Sequence, residues 1–125
     1  MVVRISAIAI DALDPRRVAD FWLAALGWRQ IEEWGAGISL GPEDGSGPTM
    51  DVVLVPEPKT VKNRLHLDLR ADGSDRDTEV ERLVGLGARR VDVGQGPDGP
   101  WVVLAGPAGN KFFVLSRSGQ EAGAA

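Results

Sequence analysis

The sequence predicts an α+β protein of two β-α-β-β-β modules that pack together. Three observations predict it. Strand-like and helix-like segments run through the same cycle twice within 125 residues. Leu26-Gly27-Trp28-Arg29-Gln30-Ile31 aligns with Leu86-Gly87-Ala88-Arg89-Arg90-Val91 at an offset of 60, and Ile8 and Ile10 fall on Leu67 and Leu69 at an offset of 59. Repetition of this kind marks a supersecondary unit used more than once. Residues 55–69, VPEPKTVKNRLHLDL, then read as the hinge between the copies, because Pro56 and Pro58 end an apolar run and a basic patch precedes a new alternating strand. The first module is expected over residues 1–58, the second over 59–117, and a frayed tail over 118–125.

Each element has its own reason. Residues 5–10 alternate weakly and read as a strand. Asp14 is a good helix cap with Pro15 at the first helical position, and Val18, Phe21, Trp22, Ala25 and Leu26 recur at helical spacing before Gly27. Residues 28–34, 38–40 and 50–55 follow as strands, separated by Gly-rich turns. In the second module residues 65–69 form a strand with Leu65, Leu67 and Leu69 on one face and His66 and Asp68 on the other. Val80, Leu83, Val84 and Leu86 mark a helix face ending at Gly87, and residues 89–93, 101–105 and 111–115 complete the second cycle of strands.

Composition narrows the function. The chain is 43% apolar and 26% charged, with a net charge of −4 and a pI near 4.9. Basic residues are scattered among acids, so nucleic acid is a poor ligand candidate. No apolar run approaches the roughly 20 residues that span a bilayer, so no membrane contact is expected. There is no cysteine, hence no disulfide, no thiolate nucleophile and no cysteine metal site. The N-terminal MVVRISAIAI enters strand alternation directly, no signal peptide is read, and a cytoplasmic location is expected. The glycine-rich loops fit neither a P-loop nor a dinucleotide fingerprint, and no serine sits in a nucleophile elbow.

Three segments carry a resemblance: Asp14-Pro15-Arg-Arg-Val-Ala-Asp-Phe21-Trp22 with Leu26-Gly27-Trp28, Asn63-Arg64-Leu65-His66-Leu67-Asp68-Leu69, and Gly106-Pro107-Ala-Gly109-Asn110-Lys-Phe. Across residues 3–117 the chain resembles the vicinal oxygen chelate superfamily of glyoxalases, bleomycin-resistance proteins and extradiol dioxygenases. It looks most like the small glyoxalase-like proteins. The resemblance implies paired βαβββ modules forming a curved mixed sheet around a ligand cavity, and a homodimer. It also implies a divalent metal held by His and Glu residues on the first and last strands of the modules. His66 stands where the second module's histidine ligand would be, and its counterpart in the first module is Ala7. The second module's carboxylate falls at Phe113; its first-module counterpart falls near Val52, with Asp51 one residue away. Most expected ligands are therefore missing, and no cofactor is expected, with His66 a ligand only if a metal is present.

The remaining site candidates each carry two readings. His66 with Asp68 two residues on is either an acid/base unit or a hydrogen-bonded pocket wall. Trp22 reads as core. Trp28 and Trp101 line a cavity or fill a core, and Trp34 covers a pocket mouth. Arg64, with Lys59, Lys62 and Asn63, is an anion anchor or a solvated linker. The ligand-binding set is accordingly Trp28, Trp34, Arg64, Trp101 and Phe113, with His66 and Asp68 as the catalytic candidates. A metal-independent protein binding a small, partly apolar molecule ranks ahead of a lyase or isomerase acting on a small oxygenated substrate, metal-dependent or using His66 as acid/base, and a dimeric interaction module with a vestigial cavity is the third reading.

Overall fold

The computed structural model describes residues 1–91 and 101–116. The chain divides into two compact units, Met1–Pro58 and Lys59–Ala125. Each holds one βαβββ cycle and its own four-stranded mixed sheet, so the α+β repeat stands. The expected strand at 89–93 runs into residues 92 and 93, which lie outside the described residues, as do the 94–100 loop and the 118–125 tail. Among the described residues no helix is long and apolar enough to cross a membrane.

The first unit contains β1 (Ala7–Ala12), α1 (Pro15–Leu26), β2 (Arg29–Trp34), β3 (Gly37–Gly41) and β4 (Thr49–Leu54). Strand order is β1-β4-β3-β2, with β1 parallel to β4 and the other pairs antiparallel. A parallel pair needs a long crossover, and α1 with the β2–β3 hairpin supplies it. Asp14 caps α1 by accepting from the Arg17 amide. The helix ends at Gly27, whose φ of 67° is left-handed and whose amide donates to the Leu23 carbonyl. Val18, Ala19, Phe21 and Trp22 are the buried face, with Phe21 and Trp22 edge-to-face at 5.1 Å. They cover Ile10, Ile38, Leu40, Met50 and Val52, all buried on one side of the sheet. Each such side chain contributes about 1.5–3 kcal/mol when fully removed from water.

The second unit contains β5 (Leu67–Arg70), α2 (Arg76–Leu86), β6 (Arg89–Arg90), β7 (Trp101–Ala105) and β8 (Lys111–Leu115), in the order β5-β8-β7-β6. Phe112, Val114 and Leu104 form the helix-facing side, under Val80 and Leu83 of α2. The Arg90–Glu81 ion pair at 2.9 Å ties β6 to the same helix. Leu86 and Val84, expected on the buried face, are 39% and 38% exposed. At 100° per residue Leu86 lies 120° from Val80 and 60° beyond Leu83, and Val84 lies 40° beyond Val80, so both stand at the edges of the buried face. Ala88, just past the cap, is buried instead.

Two strands begin later than local alternation implies. β1 starts at Ala7 rather than residue 5, and β5 at Leu67 rather than residue 65. The cause is the partner. β4 begins at Thr49, directly after Pro48, and β8 begins at Lys111, directly after a turn, so Ile5 and Leu65 have nothing to pair with. Both are exposed, at 70% and 90%, and Leu65 does not join Leu67 and Leu69 on a common face.

Asp75 caps α2. Its carboxyl lies below the ordinary aspartate value of 3.8, chiefly because the Thr78 amide donates to it, with help from the Thr78 side chain. A carboxylate with a depressed folded pKa adds stability that is fully present above its unfolded value and lost as pH falls through the folded one. Asn caps without titrating. The stability advantage of wild type over Asp75→Asn is therefore expected to shrink below about pH 3.8. Urea midpoints at pH 6 and pH 3 check this, and a difference independent of pH contradicts it.

Candidate functional site: the helix-free sheet faces

Pairing register decides which side chains share the face that no helix covers. In the second unit Asp68 pairs with Phe113 and Phe113 with Val103. Residues at alternate positions join them: Arg70, Lys111, Leu115 and Trp101, with Arg89 opposite Ala105. Three rings cross this face on a diagonal. His66 stacks on Phe113 with centroids 4.2 Å apart and planes 8° apart, and Phe113 lies 6.1 Å and 15° from Trp101. Phe113 and Trp101 are half-buried, and the His66 and Asp68 side chains are 36% and 50% exposed. The row is accessible.

His66 Nδ1 lies 2.9 Å from Asp68 Oδ1. Because a carboxylate only accepts, Nδ1 is the donor, and Nε2 stays outside this bond. That fixes one ring nitrogen and leaves the other for a ligand or a proton.

In the first unit the helix-free face is built differently. Ala9, Asp51, Ser39 and Glu32 stand in one row across β1, β4, β3 and β2. Asp51 accepts weakly from Thr49 Oγ1 at 3.5 Å. Trp34 pairs with Gly37 and lies against it, 40% exposed, while Ile31, at an irregularity in β2, lies against Gly41. Trp34 thus covers part of this face.

The register also revises one correspondence. Ala9 pairs with Asp51 as Asp68 pairs with Phe113, and Ala9 and Asp68 are the aligned positions. Asp51, not Val52, is therefore the first-unit counterpart of Phe113. Val52 points to the helix side and is fully buried. Of the four positions where the resemblance places metal ligands, Ala7 and Phe113 carry no donor, and His66 and Asp51 carry one each. Among the described residues no three His, Asp or Glu side chains come together to hold an ion.

Other expected site residues lie apart from the rings. Trp28 is half-buried between the α1 cap and β2, its amide donating to Leu23. Arg64 is exposed in the segment ahead of β5. Lys111 and Arg89, which the sequence pattern does not mark, share the face of the rings. The signal that would have found them is the strand register, since Lys111 is two residues from Phe113 and Arg89 lies opposite Ala105.

Two βαβββ units, each with one helix-covered and one helix-free sheet face, define a fold of the vicinal oxygen chelate class. A family model described as a glyoxalase-like domain matches residues 7–115, and the chain belongs to that family. It is similar in structure to the fosfomycin resistance protein FosX from Mesorhizobium loti, at 15% identity over 100% of both chains with a TM-score of 0.73. A mutant FosX from Listeria monocytogenes, complexed with Mn(II) and 1S,2S-dihydroxypropylphosphonic acid, matches at 13% identity over 97% of this chain and 95% of that one, TM-score 0.75. TnmS3, an antibiotic binding protein from Streptomyces sp. CB03234, matches at 19% identity over 94% and 98%, TM-score 0.65. At these identities the likeness shows the fold. No curated protein matches the chain.

Proposed function

We propose that this protein binds a small, partly apolar molecule against the His66–Phe113–Trp101 row and does so without the superfamily's metal centre. One observation carries the reading: a phenyl ring stands at the carboxylate position and is stacked between two other rings. An aromatic side chain cannot coordinate a divalent ion, whereas parallel half-exposed rings suit a flat apolar ligand. The antibiotic-binding neighbour supports the class, since it places a binding protein on this fold. A panel of metabolites and antibiotics screened by tryptophan quenching tests the proposal. Saturable quenching by chelator-treated protein is the expected result, and silence across a broad panel removes it.

The second reading is a lyase or isomerase using His66 as acid/base, and the 2.9 Å Nδ1–Asp68 contact favours it. Asp68 would orient the ring and Nε2 would exchange the proton. On that reading His66→Ala lowers turnover by about 10²–10⁴-fold with ligand affinity nearly kept. Equal turnover in wild type and variant excludes it. The homodimer implied by the resemblance belongs to the same proposal, and a sedimentation mass of 13.3 kDa, that of one chain, removes that part.

A further inference from the structure

The helix-free face of the second unit is not electrically neutral. Arg89 and Lys111 flank Ala105 in one row, and Arg70 stands beside Leu115 at the other end. Among the described residues Asp68 is the only carboxylate placed with them, and it is engaged by His66. The face thus holds three fixed cations against one carboxylate, in a chain whose net charge is −4. None of the three forms an ion pair among the described residues. By contrast Arg90, pointing to the helix side of the same strand, is paired with Glu81. Among the described residues no acid neutralises the cations of the ring face.

Resting on the binding role proposed above, we infer that the ligand class is a planar aromatic anion. Its ring packs against the exposed side of the Phe113–Trp101 pair, edge-on to Phe113, and its acid group reaches toward Lys111 and Arg89. The spacing agrees with this. Lys111 is two residues from Phe113 along β8, about 7 Å, and Arg89 lies two strands from Lys111, about 10 Å, across the buried Ala105. An acid group on a one- or two-ring aromatic falls within that span. The ring row supplies the apolar contact, and the cations select a carboxylate or similar anion over its neutral isostere. A surface-exposed charge contact of this kind weakens as salt rises.

Isothermal titration with two probes tests it: 2-naphthoate and the neutral 2-naphthalenemethanol. The naphthoate is expected to bind at least about tenfold more tightly at low salt, with the gap closing as salt is added. Lys111→Glu is expected to remove that preference while changing the affinity for the alcohol by less than about twofold. Arg89→Glu, at a more exposed position, should move in the same direction, which guards against a folding defect in the first variant. Equal binding of the two probes, or an unchanged naphthoate affinity in both variants, overturns the anion class while leaving binding to the rings intact. If neither probe binds, the aromatic-anion class is wrong, and the broader binding role then stands or falls with the ligand panel. If Phe113→Ala binds both probes as wild type does, the ring face itself is not the site.

Discussion

Phe113→Ala is expected to leave a folded protein whose affinity for an aromatic ligand has dropped by about 10- to 100-fold, the loss of one stacking contact of about 1–3 kcal/mol. Its neighbour behaves oppositely. Phe112 points to the helix side and is 1% exposed, in contact range of the α2 face that Val80 and Leu83 provide. Truncating such a ring costs about 3–5 kcal/mol. That is a large fraction of the roughly 5–15 kcal/mol that holds a domain together, and a melting midpoint lower by about 10 °C or more follows. Adjacent residues of one strand thus separate binding from folding, because successive side chains point to opposite faces. Thermal melts and ligand titrations on both variants check the pair. A Phe113→Ala protein that melts as low as Phe112→Ala, or that binds as wild type does, contradicts the assignment of faces.

Gly37→Ala is expected to destabilise the first unit by about 1–3 kcal/mol, the usual cost of forcing atoms into packed structure. A Cβ at Gly37 would meet the Val52 carbonyl oxygen on the neighbouring strand, and Trp34 Cζ2 and Cη2 at 3.0 and 3.2 Å. The first obstacle is backbone in the centre of the sheet and cannot turn aside. Gly41 makes the useful comparison. A Cβ there meets Ile31 Cδ1 at 2.8 Å, the far end of a flexible side chain, and Thr49 Cγ2 at an ordinary 3.5 Å. Gly41→Ala should therefore lie within about 0.5 kcal/mol of wild type, partly offset by the reduced freedom of the unfolded chain. Gly37→Ala should also disturb the Trp34 emission, since the indole rests on that glycine. Urea denaturation gives both numbers, and equal losses in the two variants would show that the close approach at Gly37 is not the constraint.

These two pairs show how much of the molecule could be read in the chain. Element type and order were legible because they rest on local signals: the Asp14-Pro15 cap, the Val18–Phe21–Trp22 spacing, and the Gly27 and Gly87 stops. Strand limits were not, since β1 and β5 begin where β4 and β8 offer a partner, a fact of long-range pairing. The same register moved the first-unit counterpart of Phe113 from Val52 to Asp51, a shift of one residue that exchanges the two faces of a strand. His66 and Asp68 were recognisable as a pair from their spacing of two. Their stacking with Phe113, and the company of Lys111 and Arg89, depended on which strands lie side by side. Leu86 shows the converse limit: it is apolar and helical, yet a 100° rotation per residue leaves it at the edge of the buried face, 39% exposed.

Metal analysis of tag-free protein decides between a binding face of rings and a metal centre. The protein is incubated with Zn²⁺, Ni²⁺, Fe²⁺ or Mn²⁺, desalted, and assayed for bound ion and for ligand affinity beside a chelator-treated sample. The account predicts substoichiometric metal and the same affinity in every sample. Near-stoichiometric metal that is lost in His66→Ala, with ligand binding only in the loaded protein, would contradict it.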